Sequence, residues 1–244
     1  MKDIHSHLLY GIDDGSKSIE ESISLLKKME LAGTTDLMLT PHYVNHSKYN
    51  CDNKGKEEIF KEFEKRVKEE NININLYLGN EVFFSNHFLN LLKEKKIRTL
   101  NNSKYLLFEF PMSNVYNNAL EIINELVSHG YVPVLAHPER YYVFQKNPDS
   151  LEVYLQAGVL MQANFTSLFG KYGHTPKKLL KYYLKKGWIT FIGSDTHHDV
   201  NYNEEKLKKM LLKYTKNPTY VEDLLNNNFD KIINNEDIEM IRVD

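Results

Sequence analysis

Short apolar or β-branched runs alternate with longer amphipathic, Lys/Glu-rich segments along the chain, and this alternation narrows the fold more than any other feature. Strand then helix, repeated, is the pattern of βα units and a parallel sheet. The expected strands are Asp3–His7, Asp36–His42, Ile74–Glu81, Tyr105–Glu109, Val132–His137, Val159–Asn164 and Ile189–Asp195. The expected helices are Ser18–Leu31, Lys54–Glu70, Asn86–Lys95, Asn117–His129, Ser150–Ala157 and Pro176–Lys186, with two more near Asn203–Tyr214 and Thr219–Asn227. In the first helix Ile19, Ile23, Leu26 and Met29 share a face, Ser16 or Ser18 caps the start, and Gly33 stops it. Proline opens the helix at Pro176 and Gly187 ends it. Seven strands with intervening helices predict an α/β fold, a seven-stranded relative of the (β/α) barrel. Its 244 residues fit one domain, 1–244.

The polar residues fall at the strand ends. In βα folds catalytic groups collect at the C-terminal ends of the strands. The first strand carries His5 and His7, and the next four end on His42, Glu81, Glu109 and His137. The seventh ends on Asp195 and His197; only the sixth, ending at Asn164, departs from the rule. Residues two apart on a strand face the same way, so His5 with His7, and Asp195 with His197, can grip one region. Asp13 and Asp14 follow in the first loop, and glycines 11, 15, 79 and 193 stand beside these residues, where the backbone must turn or approach closely. Singly, each histidine or carboxylate reads as a hydrogen-bonded loop residue or a solvated charge. Jointly they track the strand ends too regularly for that. His46, His87, His129, His174 and His198 lack the placement and receive no ligand role.

Mixed imidazole and carboxylate donors suit divalent ions such as Mn²⁺, Fe²⁺ or Zn²⁺. The absence of a thiolate from the set disfavours a structural zinc site. The donors are too many for one ion and suit two or three, with a bridging carboxylate. Clustered ions of this kind activate water at neutral pH and clamp phosphoryl oxygens. A net charge of -2 argues against a nucleic-acid binder. The single cysteine, Cys51, excludes an intrachain disulfide. No stretch approaches the ~18 apolar residues of a membrane span, and no signal segment follows Lys2, so a cytoplasmic protein is expected. Lys177, Lys178, Lys181, Lys185 and Lys186 read as the solvated face of their helix, opposite Leu180 and Leu184.

With these motifs in place, the sequence resembles the PHP (polymerase and histidinol phosphatase) superfamily. More narrowly, it is similar to the manganese-dependent protein-tyrosine phosphatases of bacterial capsule and exopolysaccharide operons, the CpsB/YwqE family. The carrying motifs are Asp3-Ile4-His5-Ser6-His7, Asp13-Asp14-Gly15, Thr40-Pro41-His42, Gly79-Asn80-Glu81, Leu107-Phe108-Glu109-Phe110-Pro111, Ala136-His137-Pro138-Glu139-Arg140-Tyr141 and Gly193-Ser194-Asp195-Thr196-His197. They run from the first expected strand to the last. The His-x-His motif alone is shared by many metallohydrolases; the ordered set is specific to the superfamily.

The resemblance implies a distorted barrel of PHP type holding three divalent ions, Mn²⁺ first, with Fe²⁺ or Zn²⁺ as alternatives. By position, His5, His7, Glu81 and Asp195 would hold one ion. Glu81, as bridge, with Glu109 and His137 would hold the second, and Asp14, His42 and His197 the third. Arg140 matches an arginine that the family uses beside the substrate phosphate, a role that suits the bidentate guanidinium fork. The implied substrate is phosphotyrosine on the tyrosine-rich tail of a capsule-assembly tyrosine autokinase. A phenol leaves with a pKa of ~10, so the lack of an evident general acid is tolerable. Histidinol phosphate, or another small phosphoester, is the alternative on the same scaffold, and a non-catalytic metal-bound accessory module is the third reading. Some relatives carry a second arginine a few residues beyond the Asp-x-His motif. Here the stretch His198–Asn203 has none.

Overall fold

The computed structural model describes residues 1–239; positions 240–244 of the expected domain lie outside the described residues. The strands are β1 (Lys2–Asp3), β2 (Asp36–Leu39), β3 (His42–Tyr43), β4 (Asn75–Leu78), β5 (Glu81–Phe83), β6 (Tyr105–Glu109), β7 (Val132–Ala136), β8 (Leu160–Asn164) and β9 (Phe191–Gly193). All ladders are parallel. The fold class is α/β, as the alternation predicts.

A closed seven-stranded barrel is not what forms. The strands make two open sheets, β1-β2-β4 and β3-β5-β6-β7-β8-β9. The expected second and third strands each break in two. Pro41 has no N–H to give to a ladder, and Asn80 turns its side chain to donate to the Pro41 carbonyl at 2.8 Å. The expected first and last strands are shorter than foreseen because side chains replace ladder partners there. Asp3 Oδ1 accepts from the His5 and Ser194 amides, and Thr40 Oγ1 from the Ser6 amide. One parallel bridge, Ser6 to Thr196, lies between the two sheets. It is flanked by His7 N–H to Thr196 O and Asp195 N–H to His5 O, both 2.9 Å.

The helices follow the expected order with shifted ends. Ile19–Leu31 is capped by Ser18, whose side chain accepts from the Glu21 amide, and Asn53–Glu69 is capped by Asp52. Phe88–Lys93, Ala119–Ser128, His174–Lys186 and Glu204–Thr215 stand where helices were expected. The expected Ser150–Ala157 helix is instead a 3₁₀ turn, Pro148–Leu151, running into Glu152–Gln156. The last expected helix continues beyond its foreseen end, through Asp223–Asn227 to Asn228–Ile233. On His174–Lys186 the lysines lie opposite buried Leu179, Leu180, Tyr183 and Leu184. No helix of the described residues is long and apolar enough to cross a membrane.

The two-residue period of the strands builds the foundation of the site. Tyr105 and Leu107 of β6, Val134 and Ala136 of β7, Leu160 of β8 and Phe191 of β9 share one apolar cluster with Ile4 and Met38. Phe229 and Ile232, from the final helix, join it. The alternate residues Leu106, Phe108, Leu135, Met161, Ala163 and Ile192 belong to a second cluster, packed against the helices. Continuing the inner face along each strand leads from apolar residues to Glu109, Gln162 and Asn164, all buried. Apolar and polar layers are therefore stacked on the same strands, the polar layer at their C-terminal ends.

Candidate metal centre

All nine candidate ligands converge at this polar layer. Register brings the first pair together: in the β3–β5 ladder His42 stands opposite Glu81, and in β5–β6 Glu81 is opposite Leu107, two residues before Glu109. His5 and His7 leave β1 on one face, as their spacing predicts, with their Nε2 atoms 3.2 Å apart. Close packing fixes the segment that carries them. A Cβ at Gly193 would stand 2.6 Å from His5 Cβ, and one at Gly15 only 1.9 Å from the His7 carbonyl oxygen, so neither position accepts a side chain.

Glu81 is the hub. Its Oε2 lies 3.2 Å from His5 Nε2, 3.3 Å from His7 Nε2 and 3.0 Å from His42 Nδ1, and its Oε1 is 2.9 Å from His137 Nε2. Asp195 Oδ1 stands 3.6 Å from His5 Nε2 and 3.4 Å from His7 Nε2. Glu109 approaches His42 Nδ1 at 3.3 Å and His137 Nε2 at 3.7 Å. Asp14 Oδ1 is 3.6 Å from both His42 Nε2 and His197 Nε2. Three groups of donors draw together: His5, His7 and Glu81; His42, Glu81 and Glu109; and His7, Asp14, His42 and His197. The family-derived grouping of Glu81 with Glu109 and His137 thus gains His42, whose two ring nitrogens face two groups.

The donor set fits divalent metal on two counts. Donors about 2.1 Å from a common ion stand roughly 3.0–3.4 Å apart in octahedral or tetrahedral geometry, and most of the separations above lie close to that span. Buried Glu81 Oε2 and His42 Nδ1 stand 3.0 Å apart, yet among the described residues neither makes an aligned hydrogen bond, an expensive condition for a protein interior unless a cation completes it. The electrostatics agree. Burial, then the charge of Glu81, pushes the Glu109 carboxyl up to about 8, crowding that a cation would relieve. Burial opposes charge on His42, yet Glu81 foremost among its neighbours holds it up to about 9. Burial, then the Arg140 charge, pushes His137 down to about 4, which keeps its imidazole neutral and available as a ligand.

The surrounding shell divides labour that the sequence left undivided. Asp13, adjacent to Asp14, does not face the pocket. It accepts from His7 Nδ1 at 2.7 Å and from the His42 and Gly15 amides, fixing the His7 ring. Gln162 Oε1 meets His5 Nδ1 at 2.8 Å. Asn164, which departs from the strand-end rule, donates to Asp195 Oδ2 at 2.7 Å, so the sixth strand serves the site by orienting a ligand candidate. Buried Lys56 donates to Asn80 Oδ1 at 2.5 Å, beside Glu81, and Asn80 Oδ1 also accepts from the Arg98 amide. His137 and Asp195 both adopt left-handed backbone, φ 37° and 52°, which costs an ordinary residue roughly 1–2 kcal/mol.

A pocket of about 350 Å³ opens over the cluster, lined by ligand candidates, Arg140, Met112, Lys171, Tyr172, His198 and Asp199. Arg140 Nη1 donates to Asp195 Oδ2 at 2.7 Å. Past His197, where the arginine is missing, the rim carries Lys171, 3.4 Å from Asp199. His198 pairs with Glu21 at 3.1 Å. Beside His42, the polar segment 43–53 is folded back on itself by the Val44 N–H to Tyr49 O bond at 2.7 Å. Sequence reasoning missed Lys171 and Tyr172; their one signal was the pair of flanking glycines, Gly170 and Gly173.

Comparison with known proteins gives a concordant result. The family described as capsular polysaccharide synthesis, CpsB/CapC, matches residues 1–234. CapC of Staphylococcus aureus is 34% identical over 97% of this chain and 96% of its own length. The tyrosine-protein phosphatase YwqE of Bacillus subtilis is 30% identical over 81% of this chain and 78% of its own. A solved structure from work on YwqE of Bacillus subtilis and CpsB of Streptococcus pneumoniae, described as metal-dependent tyrosine phosphatases, superposes with a TM-score of 0.91. It shares 28% identity and covers 98% of this chain and 96% of its own.

Proposed function

The chain belongs to the CpsB/CapC family of capsular polysaccharide synthesis, and from that premise we propose that it is a metal-dependent phosphatase that removes phosphate from tyrosine in proteins. The observation that carries this reading is Glu81, a buried carboxylate with three imidazole nitrogens within 3.3 Å of one oxygen that makes no aligned hydrogen bond among the described residues. His5, His7, Glu81 and Asp195 would hold one ion, Glu81, Glu109 and His137 a second, with His42 close by, and Asp14, His42 and His197 a third. Mn²⁺ suits this mixture of imidazole and carboxylate, with Fe²⁺ and Zn²⁺ as competitors. Divalent ions bound there would supply Lewis acidity toward phosphoryl oxygens and lower the pKa of water.

The chain's own groups do the rest. Asp13, Gln162 and Asn164 hold His7, His5 and Asp195 in their rotamers, so the donors are arranged before substrate arrives. Arg140 presents a cation to the pocket for the equatorial oxygens of the phosphoryl group. Its fork complements two oxygens at once, which a lysine would not. Among the described residues the one carboxylate lining the pocket beyond the ligand candidates is Asp199, which is paired with Lys171, and a phenolate with a pKa of ~10 leaves without a general acid more readily than an alkoxide. The exposed rim at Lys171, His198 and Asp199 suits a side chain presented by a protein whose backbone stays outside. The phosphorylated tyrosine-rich tail of a capsule-assembly tyrosine autokinase is the substrate this reading selects.

The test is a competition between a phosphotyrosyl peptide and histidinol phosphate on one preparation. The peptide should win by at least ~tenfold in kcat/KM, about 1.4 kcal/mol of transition-state binding. Chelation should abolish turnover and Mn²⁺ restore it. A preference for histidinol phosphate would move the assignment to small phosphoesters and leave the metal centre standing. Undiminished turnover in metal-free protein would remove the metal centre as well.

A further inference from the structure

Arg140 is held by more than its ion pair. Its guanidinium carbon lies 4.4 Å from the centroid of the Tyr172 ring, a cation–π distance. The Tyr172 hydroxyl lies 3.3 Å from Asp195 Oδ2, the oxygen that already accepts from Arg140. Tyrosine, arginine and aspartate thus form a closed triangle at the pocket wall. Tyr172 arrives there on the turn Gly170-Lys171-Tyr172-Gly173, between the helices Thr166–Phe169 and His174–Lys186. Both glycines have φ 92°, a conformation that favours glycine. A Cβ at either would meet nothing within 4 Å, so they serve the reversal of the backbone and not a close approach.

Ordinary packing is the plain alternative for a half-buried tyrosine. Tyr172 belongs to none of the apolar clusters of the described residues. Its ring instead faces a charged plane. A single bond to Asp195 fixes one guanidinium nitrogen and leaves the plane free to swing. A ring against the face removes that freedom while leaving the edge, with its N–H groups, open.

We propose that Tyr172 is a positioning residue for phosphate capture, setting the plane of the Arg140 guanidinium so that its free N–H edge meets the phosphoryl oxygens. The proposal rests on the phosphatase reading for its substrate, but its central measurement does not need turnover. Orientation lowers the entropy lost on binding and in the transition state. Its loss should therefore weaken the binding of free phosphate as well as the hydrolysis of an ester.

The experiment measures inorganic phosphate affinity by calorimetry on metal-loaded wild type, Tyr172→Leu, Tyr172→Phe, Arg140→Ala and the double variant Arg140→Ala/Tyr172→Leu. Bound metal is assayed in each. Tyr172→Leu should weaken phosphate binding about three- to thirtyfold, the range a desolvated cation–π contact supports, with metal content unchanged. Tyr172→Phe, which keeps the ring, should recover most of the affinity. On the Arg140→Ala background Tyr172→Leu should have almost no further effect, because nothing is left to orient. An equal loss on both backgrounds, no rescue by phenylalanine, or a fall in bound metal would overturn the proposal. Kinetics with phosphotyrosyl peptide on the same proteins separate the two claims. If wild type binds phosphate through the Tyr172–Arg140 pair yet leaves the peptide intact, the substrate assignment fails and the positioning role stands.

Discussion

The two ends of the same strands obey opposite rules. At the base, Leu107, Val134, Leu160 and Phe191 meet Phe229 and Ile232 of the final helix, and the layer is satisfied by its own contacts. At the mouth, a few residues further along those strands, imidazoles and carboxylates crowd to within 2.9–3.7 Å, and Glu81 Oε2 and His42 Nδ1 make no aligned hydrogen bond among the described residues. The base is stable alone and has no chemistry. The mouth has chemistry and is incomplete alone. One strand, Tyr105–Glu109, passes from one regime to the other in five residues, so the fold sets a layer with unmet polar groups on one whose contacts are complete.

The contrast can be broken most severely at Glu81. Glu81→Ala removes the hub that two of the three donor groups share, so turnover of a phosphotyrosyl peptide should fall by at least ~10³-fold, with reduced bound metal. The expected scale is that of losing transition-state electrostatics in a dry site. Circular dichroism should show the fold intact, since the base is untouched. Near-normal turnover with full metal content would take Glu81 out of the centre.

The reverse experiment acts on the base. Ile232→Ala should cost about 2–5 kcal/mol of unfolding free energy in urea, the range for a buried large-to-small change. Turnover per folded molecule should stay near that of wild type. If catalysis and stability fell together at this distance, the two layers would be one cooperative unit and the comparison would be wrong.

The smallest effect concerns a charge between the regions. Lys56 is buried beneath Asn80, and burial pushes its ammonium down to about 7 from an ordinary 10.5. Between those values the unfolded chain binds the proton and the folded chain does not, so this lysine makes stability rise as pH rises through the window. Relative to Lys56→Met, wild type should gain about 2 kcal/mol between pH 7 and 9. Parallel pH profiles for the two proteins would mean that Lys56 stays charged in the fold, paired through Asn80.

What could be read from the sequence follows the same division. An apolar run that ends on a ligand is a local pattern with a period of two, and it placed Tyr105–Glu109 residue for residue. It also brought Glu81, Glu109 and His137 to the same end of the sheets. The breaks at Pro41 and Gly79 were visible as residues, but how a chain repairs a lost ladder bond is a matter of tertiary partners. That repair, through Asn80 and Asp3, turned one expected barrel into two sheets. Asp13 and Asp14 are identical in kind and adjacent, so only the fold could send one to His7 and the other to the pocket. Which ions His42 and His137 would serve is likewise unreadable from spacing, because their donors meet across four strands. Tyr172 stayed hidden because it carries no strand-end signature; its importance comes from Arg140, far away in sequence.

The left-handed backbone at His137 and Asp195 has a consequence for laboratory evolution. The conformation is one that asparagine and aspartate adopt more comfortably than histidine, and His137 also faces crowded neighbours of its own cluster. A library of this chain sorted for heat resistance alone, in chelator, should therefore enrich His137→Asn early, whereas Asp195, ion-paired with Arg140 and bonded by Asn164, should persist. The survivors would be tougher and unable to turn over substrate. Any screen meant to harden this protein must keep metal and substrate present at every round, or it will select the centre out of existence.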